Sequence, residues 1–224
     1  MPMERDEIHR SFRLPAHASV QVAGIDGEVE VETAPGEMAE VRVTFAARSR
    51  EALEAYRLSI EATPGGLVVR GAGSRGPGGV RLRVWLRVPR QVELRVNGVA
   101  GGVVVGEVEG SVRLSGIVGD VRVGRVSGSL KASGVNGGVS VALAALDVRG
   151  ARLSGINGAV ELRIGDELNA DLQVGGLNGE VVTGAARMTL EGWPRASKLR
   201  GRIGSGGALI SLSGINGRLS LPPA

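Results

Sequence analysis

The stretch GSVRLSGIVGDVRVGRVSG, residues Gly110–Gly128, contains the pattern that decides the fold. Apolar and polar residues alternate in its short segments SVRL and DVRV, as in β-strands with one buried face. Glycines separate these segments, and glycine permits sharp turns because it has no Cβ. Six apolar residues of this unit are predicted to face a core: Val112, Leu114, Ile117, Val121, Val123 and Val126.

The same unit recurs through the second half of the chain. Its first glycine falls at Gly98, Gly116, Gly134, Gly155, Gly176 and Gly214. The spacings are 18, 18, 21, 21 and 38 residues; since 38 is twice 19, we expect a degenerate copy near Gly201. The hexamer LSGING occurs twice, at Leu153–Gly158 and Leu212–Gly217, which these spacings place three units apart. Adding 18 to the first set of core positions gives Leu130, Ala132, Val135, Val139, Val141 and Ala144, all apolar.

A period of this length predicts an all-β fold of the β-solenoid (β-helix-like) type, with 18–21-residue coils stacked at the spacing of strands. The period is too short for a helix pair or a four-stranded propeller blade. Glycine and Asn-Gly are strong turn signals. We therefore predict structural turns and stacked ladders at Gly116, Gly134, Gly155, Gly176 and Gly214 and at Asn136, Asn157, Asn178 and Asn216, with serines in an outward ladder beside them.

The first part of the chain does not show this regular repeat. Residues 1–96 are predicted to form a β-rich capping region with one short helix over Ser49–Tyr56, and residues 97–224 to form the coils. The two parts are expected to make one continuous structural unit, because the end of a stack of coils must be covered.

The order of these segments resembles a known bacterial family. An early VxGxVxV unit, a strand ending in VP and reiterated SGxxGxVxV units are similar to the β-strand-repeat domain of unknown function often labelled "putative adhesin". Its most characteristic stretch here is VRLRVWLRVPRQVELRVNGVAGGVVVGEVEGSVRLSGIVGDV, which begins at Val80. The resemblance implies a β-repeat fold and suggests the cell envelope as the location.

Composition argues against most catalytic and metal sites. There is no Cys, and the two histidines, His9 and His17, lie without ligand-like spacing, so we predict no metal, cofactor or catalytic residues. The segment GAGSRG, residues 71–76, matches a dinucleotide-binding fingerprint, but a Pro-Gly-Gly turn and a strand follow it instead of a helix. It is therefore predicted to be a hairpin loop. Surface carboxylates such as Asp120, Glu161 and Glu180 leave a polysaccharide-processing enzyme as an alternative.

The segment RLRVWLR is the strongest candidate for an interaction surface. Strand alternation places Arg81, Arg83, Trp85 and Arg87 on one face, where they could bind an acidic polymer or lipid headgroups. The favoured structural interpretation is that the arginines protect the strand from edge pairing while Trp85 packs under the short helix.

These observations predict a non-enzymatic structural or interaction module, adhesin-like or a scaffold. The family resemblance adds a sensory or regulatory domain of a cell-envelope stress pathway as a further alternative. The partner is an unidentified protein or envelope polymer, with self-association through the ends of the stack as another expectation. The net charge of +4 is not clustered in sequence, so no nucleic-acid partner is predicted. The sequence shows neither a signal peptide nor a membrane span, which fits a cytoplasmic location, whereas the resemblance suggests the envelope.

Overall fold

Alternating apolar residues produce β-strands along most of the chain. The computed structural model describes residues 4–73, 79–184, 188–191 and 198–224, and it is all-β with one short helix. The strands up to residue 105 are β1 (Glu4–Arg13), β2 (Ser19–Ile25), β3 (Gly27–Ala34), β4 (Met38–Ala47), β5 (Ser59–Thr63), β6 (Gly66–Arg70), β7 (Arg81–Pro89), β8 (Glu93–Val99) and β9 (Val103–Val105). The later strands are β10 (Ser111–Val118), β11 (Val121–Asn136), β12 (Val139–Asn157), β13 (Val160–Ile164), β14 (Ala170–Asn178), β15 (Val181–Thr183), β16 (Met188–Glu191), β17 (Lys198–Ile203), β18 (Ala208–Asn216) and β19 (Leu219–Leu221).

The predicted short helix is present as α1 (Arg50–Ala55). The hydroxyl of its N-cap residue Ser49 accepts a hydrogen bond from the backbone N–H of Ala52 at 3.3 Å, which satisfies one of the free donors at the start of a helix. Tyr56 directly follows the helix and stacks edge-on against Phe45 of β4, with ring centroids 6.0 Å apart. The helix therefore packs near the inner face of β4.

The strands pair in two long ladders in which most neighbours are parallel. Ladder A has the order β5, β6, β2, β8, β10, the second half of β11, the second half of β12, β18, β14, β17 and β16. Ladder B has the order β1, β4, β7, β3, β9, the first half of β11, the first half of β12, β13, β19 and β15. The antiparallel pairs lie toward the ends of the ladders.

The β-solenoid prediction is not supported, because the strands join into one nearly closed, barrel-like sheet. Strands β11 and β12 bend and pass through both ladders, so the two ladders share strands and enclose a single apolar interior. A solenoid also adds its coils in chain order, and the units at both ends of this chain are out of order.

The predicted 18-residue offset is the register of parallel pairing in the middle of the sheet. Val112 lies opposite Leu130 and Ile117 opposite Val135. The next offset is 21 because the additional residues loop out between the pairs Gly128–Leu146 and Leu130–Ala151, leaving Val148 99% exposed. The core prediction is wrong at Ala144, which is only half-buried. Leu143 takes its place opposite Val126, since the register shifts by one between Val123 and Arg125.

The last unit of the chain is inserted between two earlier ones. Strand β18 pairs with β12 on one side and with β14 on the other, and β19 likewise lies between β13 and β15. The two copies of LSGING are therefore direct neighbours, with Ile156 opposite Ile215, and their predicted separation by three units is wrong. The copy predicted near Gly201 is also wrong, because β17 runs antiparallel to β14.

The first unit is inserted in the same way. Strand β2 lies between β6 and β8 in ladder A, and β3 lies between β7 and β9 in ladder B. The predicted boundary between residues 96 and 97 falls inside β8, and one cluster of buried side chains includes residues on both sides of it. The chain's last segment, LSLPPA, is internal to ladder B rather than at its end. Self-association through the ends of the stack stays a prediction. At one end, the last strand of ladder A is β16 and the last strand of ladder B is β15.

Two kinds of glycine hold the stacked units together. Gly116 has φ +61°, a left-handed conformation that a side chain would strain, although a Cβ there would have room. Gly137 is required for a different reason, since a Cβ would overlap the backbone carbonyl oxygen of Gly119 in the turn of the neighbouring unit. Asn-Gly therefore marks a place where two backbones approach closely, and not only a turn.

Candidate interaction surfaces

The described residues show no cluster of metal-ligating side chains. No group of three His, Asp or Glu residues within them could hold a metal ion. His9 and His17 are exposed. Within the same residues, no helix is long and apolar enough to cross a membrane. The GAGSRG segment continues beyond Gly73 into residues 74–78, so its predicted loop lies partly outside the described residues.

The three carboxylates considered for catalysis are each engaged in local contacts. Asp120 accepts the backbone N–H of Gly138 at 2.8 Å. Glu161 accepts from the hydroxyl of Ser140 at 3.2 Å and pairs with the guanidinium of Arg163 at 2.8 Å. Glu180 forms an ion pair with Arg218. Each of the three carboxylates thus has a polar partner close by.

Strand β7 carries the predicted arginine and tryptophan face. Arg81, Arg83 and Arg87 are exposed and Trp85 is half-exposed, while the alternate residues of the strand are buried. We call these four residues the β7 row. The strand is not an edge, because β4 and β3 pair with it on its two sides. The arginines therefore do not serve to protect an edge.

The β7 row lies beside a row of acids on β3. Glu28, Glu30 and Glu32 are opposite Arg83, Trp85 and Arg87. Glu28 Oε2 accepts two hydrogen bonds from Arg83, at 3.1 Å from Nε and 2.9 Å from Nη2. The sequence places these acids more than fifty residues from the arginines, and parallel pairing brings them together. The face is thus basic on one strand and acidic on the next.

Trp85 contacts an arginine of its own sheet. The guanidinium carbon of Arg42 on β4 lies 5.4 Å from the centroid of the Trp85 ring, within range of a cation–π contact. Arg42 also pairs with Glu7 of β1 at 3.2 Å. Trp85 lies on the face opposite Phe45 and the helix, so its predicted packing under the helix is wrong.

An open groove of about 670 Å³ lies at one end of the β7 row. Three arginines line it, Arg5, Arg81 and Arg83, together with the acids Asp26 and Glu28. Two of its five charged side chains, Arg83 and Glu28, are bound to each other. The interaction role predicted for this face stays a prediction, and the matched acids weigh against a polyanion as its ligand.

A second set of basic residues, not predicted from the sequence, lies on the outer face of ladder A. Residues in adjacent strands are opposite one another in register, and four of them are basic: Arg95 (β8), Arg113 (β10), Lys131 (β11) and Arg152 (β12). We call these four the basic row. Each lies between two buried apolar residues of its strand and so points outward. Strand spacing of about 4.8 Å gives the row a length of about 14 Å.

Three members of the basic row have no acid within reach in the described part of the chain. Arg95 pairs with Glu93 at 3.2 Å, and the nearby bulge contains a self-contained pair, Arg149 with Asp147 at 2.7 Å. The ion pairs within the described residues include none made by Arg113, Lys131 or Arg152. Among the described residues, the basic row is therefore a cationic stripe that is unpaired except at Arg95.

Such a stripe works against folding. Like charges directly opposite one another on paired strands destabilise a sheet, and two unit charges 4 Å apart in water repel by about 1 kcal/mol. In the β7 row, Arg83 pairs with Glu28 of β3 and Arg87 lies opposite Glu32. In the basic row, only Arg95 has an ion-pair partner among the described residues, so repulsion between its neighbours is less compensated.

Two rows of small polar side chains accompany the basic row. Ser115, Ser133, Ser154 and Ser213 are opposite one another two residues further along each strand. Beyond them the asparagine side chains stack: Asn157 Nδ2 donates to Asn136 Oδ1 at 3.2 Å and Asn178 Nδ2 to Asn216 Oδ1 at 3.4 Å. The outer face of ladder A thus offers parallel lines of cations, hydroxyls and amides.

The basic row had a signal in the sequence. Arg95, Arg113 and Lys131 are spaced by 18 residues and Arg152 follows after 21, the same offsets that define the units. The offsets that relate the apolar core positions of successive units therefore also relate the four basic positions. The row does not form a cluster of charge along the sequence, because each member lies in a different strand.

Comparison with known proteins supports the fold. No family model matches the chain, and no curated protein matches it. It is similar over 99% of its length to the whole of a solved structure from Clostridium sporogenes described as a "putative cell adhesion protein", with a TM-score of 0.55 and 11% sequence identity. A "putative adhesin" from Bacteroides fragilis gives a TM-score of 0.38 at 9% identity over 96% of this chain and 97% of the other. One from Parabacteroides merdae gives 0.32 at 9% identity over 96% and 95%. The resemblance to proteins labelled as adhesins is thus confirmed at the level of the fold.

Proposed function

We propose that this chain is a non-enzymatic interaction module of the cell envelope, adhesin-like in type, which binds its partner through the outer face of ladder A. The observation that carries this proposal is the basic row, a stripe of in-register cations of which Arg113, Lys131 and Arg152 have no acid to pair with among the described residues. Unmatched like charges on a sheet cost stability, and a partner of opposite charge offsets that cost when it binds.

One solved structure supports the type of function. The similar protein from Clostridium sporogenes is described as a "putative cell adhesion protein". A repeated face suits adhesion because identical contacts from several strands add up along one partner. The enzyme alternative gains nothing from the carboxylates, since Asp120, Glu161 and Glu180 are held in local contacts.

Binding of the purified chain to isolated bacterial cell envelopes tests this function. The test variant is Arg113→Gln/Lys131→Gln/Arg152→Gln. The control, Arg48→Gln/Arg122→Gln/Arg125→Gln, removes the same charge from exposed residues elsewhere. We expect the wild type and the control to bind alike and the test variant to bind at least tenfold more weakly. Equal binding by all three, or no binding by any, would overturn the proposal.

A further inference from the structure

We propose that the ligand of the basic row is a linear acidic polysaccharide that lies across the strands, along the direction in which they stack. This inference rests on the proposed function and names the chemical class of its partner. The row is straight, because its members are paired in register with one another through three consecutive parallel strand pairs. A linear polymer with acids at regular intervals is the complement of a line of cations at regular intervals.

The length of the row requires a polymer rather than a single small anion. Four cations over about 14 Å cannot all contact one carboxylate or phosphate, since an ion pair needs its charges within about 4 Å. Polar residues also continue the line beyond Arg152. Ser211 of β18 is next, then Gln173 of β14, and then Arg200 of β17.

The neighbouring side chains favour a sugar polymer. The serine row lies directly beside the basic row, and a hydroxyl can both donate and accept hydrogen bonds, as sugar hydroxyls do. Serine side chains are also short, so they leave the face flat enough for a chain of sugar rings to approach the cations. Acidic groups would meet the basic row and ring hydroxyls would meet the serine row.

A single nucleic-acid strand fits this face less well. Proteins that hold single strands stack the bases on aromatic side chains. The aromatic residues within the described ranges are Phe12, Phe45, Tyr56 and Trp85. They lie in β1, in β4, after α1 and in β7, and so none belongs to a strand of the basic row. Within the described residues, the face therefore provides cations and hydroxyls but no aromatic side chain on which a base could stack.

Calorimetric titration with polygalacturonate, a linear polymer of uronic acid, tests the inference. We expect measurable binding at low salt that weakens about tenfold between 50 and 200 mM NaCl, as counterion release from a polyanion requires. The Arg113→Gln/Lys131→Gln/Arg152→Gln variant should lose at least tenfold in affinity, and the Arg48→Gln/Arg122→Gln/Arg125→Gln control less than twofold. Circular dichroism and thermal unfolding of each variant establish that it is folded.

Three further probes identify the ligand class. Neutral dextran should not bind. A thymidine oligonucleotide of equal charge and vesicles containing phosphatidylglycerol should bind at least tenfold more weakly than the uronate polymer. Equal or tighter binding of the oligonucleotide or the vesicles would overturn the polysaccharide assignment. So would the absence of uronate binding at low salt. If cell envelopes still bind through the basic row in either case, the proposed function survives and only the ligand class fails.

Discussion

Two rows of basic side chains lie on the outer surface of the same sheet, and they differ in what faces them. The β7 row is on a strand whose neighbour, β3, carries Glu28, Glu30 and Glu32. The basic row crosses four strands, and among the described residues only Arg95, at its end, forms an ion pair with an acid. Charges matched within a face stabilise the protein itself. Charges left unmatched in register are a reason to look for a partner.

The two rows also differ in how visible they are in the sequence. The β7 row is a local pattern, since one strand alternates Arg, Arg, Trp and Arg with apolar residues. The sequence of this one strand therefore predicts the row, whereas it does not predict that the glutamates of β3 lie beside it. The basic row is dispersed over 58 residues, from Arg95 to Arg152, and parallel stacking collects it into one line. The basic row is thus the less apparent of the two in the local sequence, and it is also the row in which most cations form no ion pair among the described residues.

The largest effect is expected from breaking the stack that creates the basic row. Ile156→Asp puts a carboxylate at a site only 1% exposed, opposite Ile215 of the inserted unit, and should lower the free energy of unfolding by about 3–5 kcal/mol. Val148→Asp is the matched control, because Val148 is 99% exposed and should tolerate the charge. Chemical denaturation measures both. An Ile156→Asp variant as stable as the control would contradict the buried position of that whole column.

A smaller effect is expected at the centre of the basic row, where one substitution should raise stability and lower affinity for the ligand. Lys131→Glu places an acid between Arg113 and Arg152, so the row becomes internally matched like the β7 row. Thermal denaturation should show a gain of about 0.5–1 kcal/mol in stability, since repulsion is replaced by attraction. Affinity for polygalacturonate should fall at least tenfold. A loss of stability together with unchanged affinity would mean that the row is not a repelling, ligand-binding stripe.

The smallest effect is expected from removing a match in the β7 row. Glu28→Gln deprives Arg83 of its partner, and because both side chains are more than half exposed the loss should not exceed about 1 kcal/mol. Glu37→Gln, which breaks the exposed pair with Arg13, is the control. Denaturation should show similar small losses for the two variants. A much larger loss for Glu28→Gln would show that the glutamate is structurally essential rather than a surface match.

Local patterns were enough to predict much of the fold. Apolar alternation indicated the strands, the helix was predicted within Ser49–Tyr56, and the offsets of 18 and 21 residues predicted the register from β8 to β12. These features follow from the chain itself, because alternation decides which side chains can be buried and a fixed period decides which strands can pair in register. The outward positions of Arg81, Arg83, Trp85 and Arg87 follow from the same rule.

Only the tertiary structure decided the order in which the units stack. The units that contain Ile156, Leu177 and Ile215 have similar sequences, so the sequence supports several neighbours for each of them. In the fold, Ile215 lies between the other two, which makes the two LSGING copies adjacent and places β17 antiparallel beside β14. The closure of the sheet and the meeting of Arg83 with Glu28 have the same origin. Local sequence determines what a strand is able to pair with, and competition among similar strands over the whole chain determines what it pairs with.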